Sequence, residues 1–100
     1  MELDEMGYLI DPADWTEAVA IRLAAAEGIE LNDEHWEAIR FMRGYLEDHR
    51  ITPDVRHVTK HLTQTFGCGR NRIFELFPYG YVQQACKIAG MKRPRAWSTG

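Results

Sequence analysis

Glycine and proline cut this chain into pieces that suit helices and leave little room for strands. Gly28, Pro53, Gly67, Pro78 and Gly90 stand between runs whose apolar residues recur at helical spacing. A first helix is expected from Asp11-Pro12 or Asp14, where proline suits the first helical position and Asp14/Glu17 are spaced as a variant capping box. Trp15, Val19, Leu23 and Ala26 share one face of it, and Gly28 stops it. Asn32 opens a second helix that turns Trp36, Ile39, Met42, Tyr45 and Leu46 inward and ends near Arg50. Thr52-Pro53 repeats the cap-plus-proline signal for a third, with Val55, Val58, Leu62 and Phe66 on its apolar face up to Gly67. A short fourth helix with Ile73, Phe74, Leu76 and Phe77 closes at Pro78, and a fifth runs from Tyr81 to about Ala89 before Gly90. Strand signal is confined to Leu3 and Gly7-Tyr8-Leu9. The pattern predicts a mainly all-α chain in which short connections and unequal helices favour an orthogonal bundle.

At 100 residues the chain has the size of one domain. Its charge is divided by position. Residues 1–50 hold thirteen Asp or Glu against four Arg, while residues 51–100 hold eight Lys or Arg against Asp54 and Glu75. Lys87, Lys92, Arg93 and Arg95 give the end of the chain a positive field able to attract nucleic acid, an acidic partner or a thiolate. No apolar run reaches membrane-spanning length, and the acidic start Met1-Glu2-Leu3-Asp4-Glu5 does not read as an export signal, so the expected compartment is the cytoplasm. Two cysteines, Cys68 and Cys86, are too few for a disulfide framework and are not spaced as a zinc pair.

Any cysteine chemistry therefore rests on a single thiol. Cys86 is followed by Lys87 and the basic tail, and positive charge favours the thiolate that attacks; the competing reading is a small core residue between Ala85 and Ala89. Cys68, in a glycine-flanked loop beside Arg70, is expected to be exposed. Arg56 and Lys60 lie one helical turn apart and present either a paired positive face or a solvated stripe. His57 and His61 share the spacing of a metal pair without a third ligand, so no metal site is assigned and no cofactor is called for. The third and fourth helices also read as a helix-turn-helix, which would put Arg70, Asn71 and Arg72 at the start of a recognition helix for DNA.

Several blocks then resemble one known family in register. Asp4-Glu5-Met6-Gly7-Tyr8-Leu9 followed by Trp15, Glu34-His35-Trp36, Pro53 with Val55-Arg56 and Lys60, Leu76-Phe77-Pro78-Tyr79-Gly80, and Gln84-Ala85-Cys86-Lys87-Ile88-Ala89-Gly90 are similar to the DsrC/TusE family of sulfite reductase gamma subunits and sulfur-relay proteins. The resemblance implies a helical domain over 1–90 with a helix-turn-helix-like part, a reduced N-terminal β-hairpin and a basic C-terminal arm over 91–100. It implies a sulfur carrier or co-substrate for sulfurtransferase or sulfite reductase partners, with Cys86 accepting sulfur and Arg56, Lys60 and Lys87 in support. The alternative is a sulfur-responsive DNA-binding regulator. The family's full form carries a second arm cysteine eleven residues after the position of Cys86, and Trp97 stands there in this chain.

Overall fold

The computed structural model describes residues 2–92. At the N-terminus Leu3 and Leu9 form one antiparallel bridge, which is all that remains of a hairpin among the described residues. Asp4 closes the turn between them: its backbone N–H donates to the Tyr8 carbonyl at 2.8 Å, and its carboxylate accepts from the N–H groups of Met6 and Tyr8 at 2.9 Å.

The first four helical segments start at side-chain caps, and two of these starts differ from the sequence expectation. Asp11 caps a single 3-10 turn, Pro12–Asp14, and Thr16 caps α1, Glu17–Ala26. The predicted first helix is thus two pieces, with Trp15 in extended backbone between them. α2, Asp33–His49, begins at Asn32 as expected, with Asn32 Oδ1 accepting from the N–H groups of Glu34 and His35. The reciprocal arm of this capping box comes from a histidine: the Asn32 N–H donates to His35 Nδ1 at 3.1 Å. Because Nδ1 accepts, Nε2 carries the proton and donates to the Leu76 carbonyl at 2.8 Å. α3, Val55–Phe66, is capped by Asp54 and not by Thr52. Pro53 is fully buried, and the Thr52 hydroxyl instead donates to the Lys92 carbonyl at 3.0 Å.

α4 spans only Arg72–Leu76. So short a helix can bury one face: Ile73 and Leu76 enter the core, while the expected core residue Phe74 stays 42% exposed. The final segment, Tyr81–Cys86, is π-helical and continues as α-helix through Ile88, where an ordinary α-helix was expected. α2 packs on α3 and α3 on α4. Ile39 and Met42 from α2, Val58 and Leu62 from α3, and Phe77 close around the last segment, whose Tyr81, Ala85, Ile88 and Ala89 are completely buried. Each large apolar side chain so enclosed contributes about 1.5–3 kcal/mol. The mainly helical fold predicted from periodicity is the one observed, and among the described residues no helix is long and apolar enough to cross a membrane.

Candidate functional site

Cys86 is the last residue of the π-helical segment, and its side chain is wholly enclosed. Burial removes water from the thiol and pushes it up to about 12, although hydrogen bonding with the Tyr81 hydroxyl opposes this. The expectation of a lowered value is corrected: among the described residues desolvation is the dominant influence on the thiol, and Arg93 and Arg95 of the tail lie outside them. Tyr81 is buried as well, its phenol raised chiefly by desolvation, and its hydroxyl hydrogen-bonds to the Pro53 carbonyl at the start of α3. Sequence reasoning placed Tyr81 in a helix but missed it as the neighbour of the thiol. An ordinary helix gives no reason to pair positions 81 and 86, whereas the wider π turn does.

The basic residues near Cys86 in sequence face elsewhere. Lys87 Nζ lies 3.7 Å from the Glu27 carboxylate and 5.3 Å from the centre of the Tyr8 ring. Glu27 also accepts from Gln84 Nε2 at 3.2 Å, and Gln84 Oε1 accepts from the Tyr79 N–H at 2.9 Å, so Lys87 belongs to a network that ties the segment to α1 and the N-terminal turn. Arg56 folds back on Asp54 at 2.8 Å and holds that carboxyl below the usual range, while its own side chain remains 86% exposed. Lys60, one turn further along α3, is exposed. The Tyr81 to Pro53 bond brings the chain just before α3 against the thiol-bearing segment, while the Arg56 side chain stays on the surface.

The end of the Cys86 helix has all four of its terminal carbonyls occupied. Met91 N–H donates to Cys86 O at 3.0 Å and Gly90 N–H to Lys87 O at 3.1 Å, with Gly90 at φ +73, which is a Schellman ending. The next two carbonyls are reached from distant side chains: Trp15 Nε1 donates to Ile88 O and Arg43 Nη1 to Ala89 O, each at 3.0 Å. Arg43 Nη2 donates to Pro12 O at 3.0 Å, and its guanidinium lies 4.6 Å from the Trp15 ring centre. Burial lowers the Arg43 pKa, with Glu47 opposing. Neither residue was singled out as functional from sequence. The available signal was an arginine adjoining Met42 on the inward side of α2.

Cys68 was expected to be exposed and is half-buried, its thiol donating to the Leu62 carbonyl at 3.5 Å. Both cysteines are free thiols. Arg70 and Asn71 are exposed, whereas the third proposed DNA contact, Arg72, is turned inward. Its guanidinium binds both oxygens of Glu34 at 2.7 Å and Glu75 at 3.2 Å, which pins α4 to the start of α2 and holds the Glu34 carboxyl down. The histidines are taken up in packing: His61 bonds Glu37 at 2.7 Å and stacks on Phe41, while His57 and His49 stack on Tyr45. Among the described residues no group of three or more His, Cys, Asp or Glu is placed to hold a metal ion. Trp97, the position of the absent second arm thiol, and the basic residues Arg93 and Arg95 lie outside the described residues.

The fold of this small helical body is already represented among solved structures. The oxidized gamma subunit of the dissimilatory sulfite reductase (DsrC) of Archaeoglobus fulgidus superposes with a TM-score of 0.86 at 36% identity, over 97% of this chain and 91% of that one. Allochromatium vinosum DsrC gives 0.82 at 39%, over 95% and 88%. The family described as DsrC-like protein matches residues 1–96, and the chain belongs to that family. Among its relatives, the protein named sulfurtransferase TusE in Salmonella typhimurium is 43% identical over 94 residues, covering 91% of this chain and 86% of the relative. That of Yersinia pestis is 40% identical over 97 residues, covering 94% and 89%.

Proposed function

We propose that this chain is a cytoplasmic sulfur-relay protein that receives sulfane sulfur on Cys86 from a sulfurtransferase and passes it to a second protein of the same pathway, a sulfite reductase being one class of partner. The observation that carries this reading is family membership over almost the whole chain, which includes the block around Cys86. Names among the relatives point the same way, to sulfurtransferases and to a sulfite reductase subunit.

The transfer needs no cofactor. The Cys86 thiolate attacks the outer sulfur of a donor cysteine persulfide, a new S–S bond forms on Cys86, the donor's S–S bond breaks, and the donor leaves as a thiolate that takes up the proton given off by Cys86. Sulfane sulfur changes carriers with no net oxidation. The chain acts as a co-substrate and returns to its starting state when the acceptor removes the sulfur. Arg56 and Lys60, on the surface at the start of α3, and Lys87, once free of Glu27, supply positive charge for an anionic persulfide or for a partner's acidic surface. No observation favours the DNA-binding reading.

The test is intact-protein mass spectrometry after incubation with a persulfidated sulfurtransferase. The wild-type chain and Cys68→Ser should each gain one sulfur atom, and Cys86→Ser should gain none. Equal gain by Cys86→Ser would remove Cys86 from the relay.

A further inference from the structure

A thiol with no exposed surface cannot meet the sulfur of another protein, because displacement at sulfur requires the attacking atom to approach in line with the bond being broken. Some part of the enclosure must open. The segment bearing Cys86 is held from three sides. Tyr81 fixes its start to Pro53, the Gln84–Glu27–Lys87 network fixes its middle to α1, and Trp15 with Arg43 fixes its end.

These restraints differ in kind. The first lies at a hydroxyl buried in the core, so breaking it would disturb the packing of α3 against the segment. The last lies at the rim. Trp15 and Arg43 are both half-buried, Trp15 stands in the extended break between two helical pieces, and Arg43 lines an open cleft of about 680 Å³ with Pro12, Leu46, Glu47 and Arg50. The two side chains end on consecutive carbonyls, Trp15 on that of Ile88 and Arg43 on that of Ala89. The backbone at Gly90 then passes so close to the indole that an added Cβ would stand 2.4 Å from Trp15 Cδ1. Lifting this pair off the helix end would leave those carbonyls to water and let the Schellman turn over Cys86 unwind, with no helix of the body displaced.

We infer that Trp15 and Arg43 are positioning residues for the Cys86 thiol. They form a latch on the carbonyl end of its helix, and Cys86 meets a sulfur donor when the latch opens while α1, α2 and α3 stay folded. This rests on the reading of Cys86 as the relay thiol.

The experiment uses the full chain with Cys68→Ser, so that one thiol reports. Alkylation of Cys86 by iodoacetamide is followed by mass spectrometry at rising urea concentrations below the unfolding transition, and global stability is measured in parallel. Trp15→Phe keeps an aromatic ring and removes the indole N–H; Arg43→Lys keeps the charge and can serve only one of the Ala89 and Pro12 carbonyls that the arginine bridges. Latch opening predicts an alkylation rate nearly independent of urea, because little surface is exposed. It also predicts that each variant speeds alkylation about tenfold, the consequence of losing one hydrogen bond to a buried carbonyl. If the rate instead climbs with urea along the global unfolding line in every protein, the latch is refuted.

The same proteins are then offered persulfidated sulfurtransferase. Alkylation by the latch route with no sulfur on Cys86 would sustain the latch and overturn the relay reading. Sulfur on Cys86 with alkylation only by global unfolding would do the reverse.

Discussion

The two cysteines sit in local sequences that look alike and in surroundings that do not. Each lies near glycines and basic residues, yet Cys68 is in a loop between α3 and α4 with its thiol on a backbone carbonyl, while Cys86 is sealed in the core beside a buried tyrosine. Charge along the chain favours a thiolate at Cys86, and burial disfavours it in the closed state. Local charge therefore says where a thiolate would be welcome, and packing says when it can exist.

The largest expected contrast comes from a glycine beside each cysteine. Gly90 has φ +73 and backs onto Trp15, so Gly90→Ala should destabilise the protein by about 3 kcal/mol or more in urea unfolding. Gly69 has no atom within 4 Å of an added Cβ, and Gly69→Ala should stay within about 0.5 kcal/mol of wild type. Equal effects would erase the distinction between the two regions.

Thiol reactivity is the next contrast. With Cys86 pushed up to about 12, the closed state holds only about one thiolate in ten thousand at pH 8. Iodoacetamide at pH 8 should therefore modify Cys68 at least about ten times faster than Cys86, read by peptide mapping. The pH dependence at Cys86 separates two routes. Attack from the closed state would keep rising tenfold per pH unit toward 12, whereas reaction through an opened state levels off near the ordinary thiol value of about 8.5. The account expects the levelling.

A smaller effect separates the regions by pH. α4 is held to α2 through His35, whose pKa is lowered from 6.5 chiefly by burial. The folded state thus binds its proton more weakly than the unfolded state, so this stability is complete above pH 6.5 and is lost as pH falls through the lower folded value. Protonation also turns Nδ1 into a donor facing the Asn32 N–H, which breaks the capping box. Acidification from pH 7 to 5 should cost about 1 kcal/mol through this residue, and His35→Gln, which keeps an acceptor at that position, should flatten the profile. The smallest effect belongs to Arg56. Its guanidinium is solvent-exposed and the Asp54 carboxylate caps α3 through a backbone N–H that Arg56→Ala keeps, so this change should leave the thermal midpoint unchanged within error, and an appreciable fall would show that the ion pair itself holds the start of α3.

Much of this fold could be read in the chain because its information is local. Asn32, Gly67 and Gly90 stand where the helix ends fall, and Ile39, Met42, Val58 and Leu62 keep helical spacing and enter the core. Failures came where a distant group decides. Asp54 displaced Thr52 as a cap because Pro53 is buried beneath Tyr81 and the threonine hydroxyl is drawn to Lys92. The π turn has no periodic signature in six residues. Cys86 was legible as the residue to single out through its block of family-like sequence, but its burial depends on α2 and α3, far away in the chain. The contacts of Trp15 and Arg43 were not foreseen for the same reason, since their partners lie 73 and 46 residues further on.

The most direct measurement is the location of sulfur in the unaltered protein. Native chain loaded by a persulfidated sulfurtransferase, quenched and digested under conditions that preserve persulfides, yields separate peptides for Cys68 and Cys86. The account predicts sulfane sulfur on the Cys86 peptide and essentially none on the more accessible Cys68. Sulfur on Cys68 alone, or shared equally between the two, would contradict it.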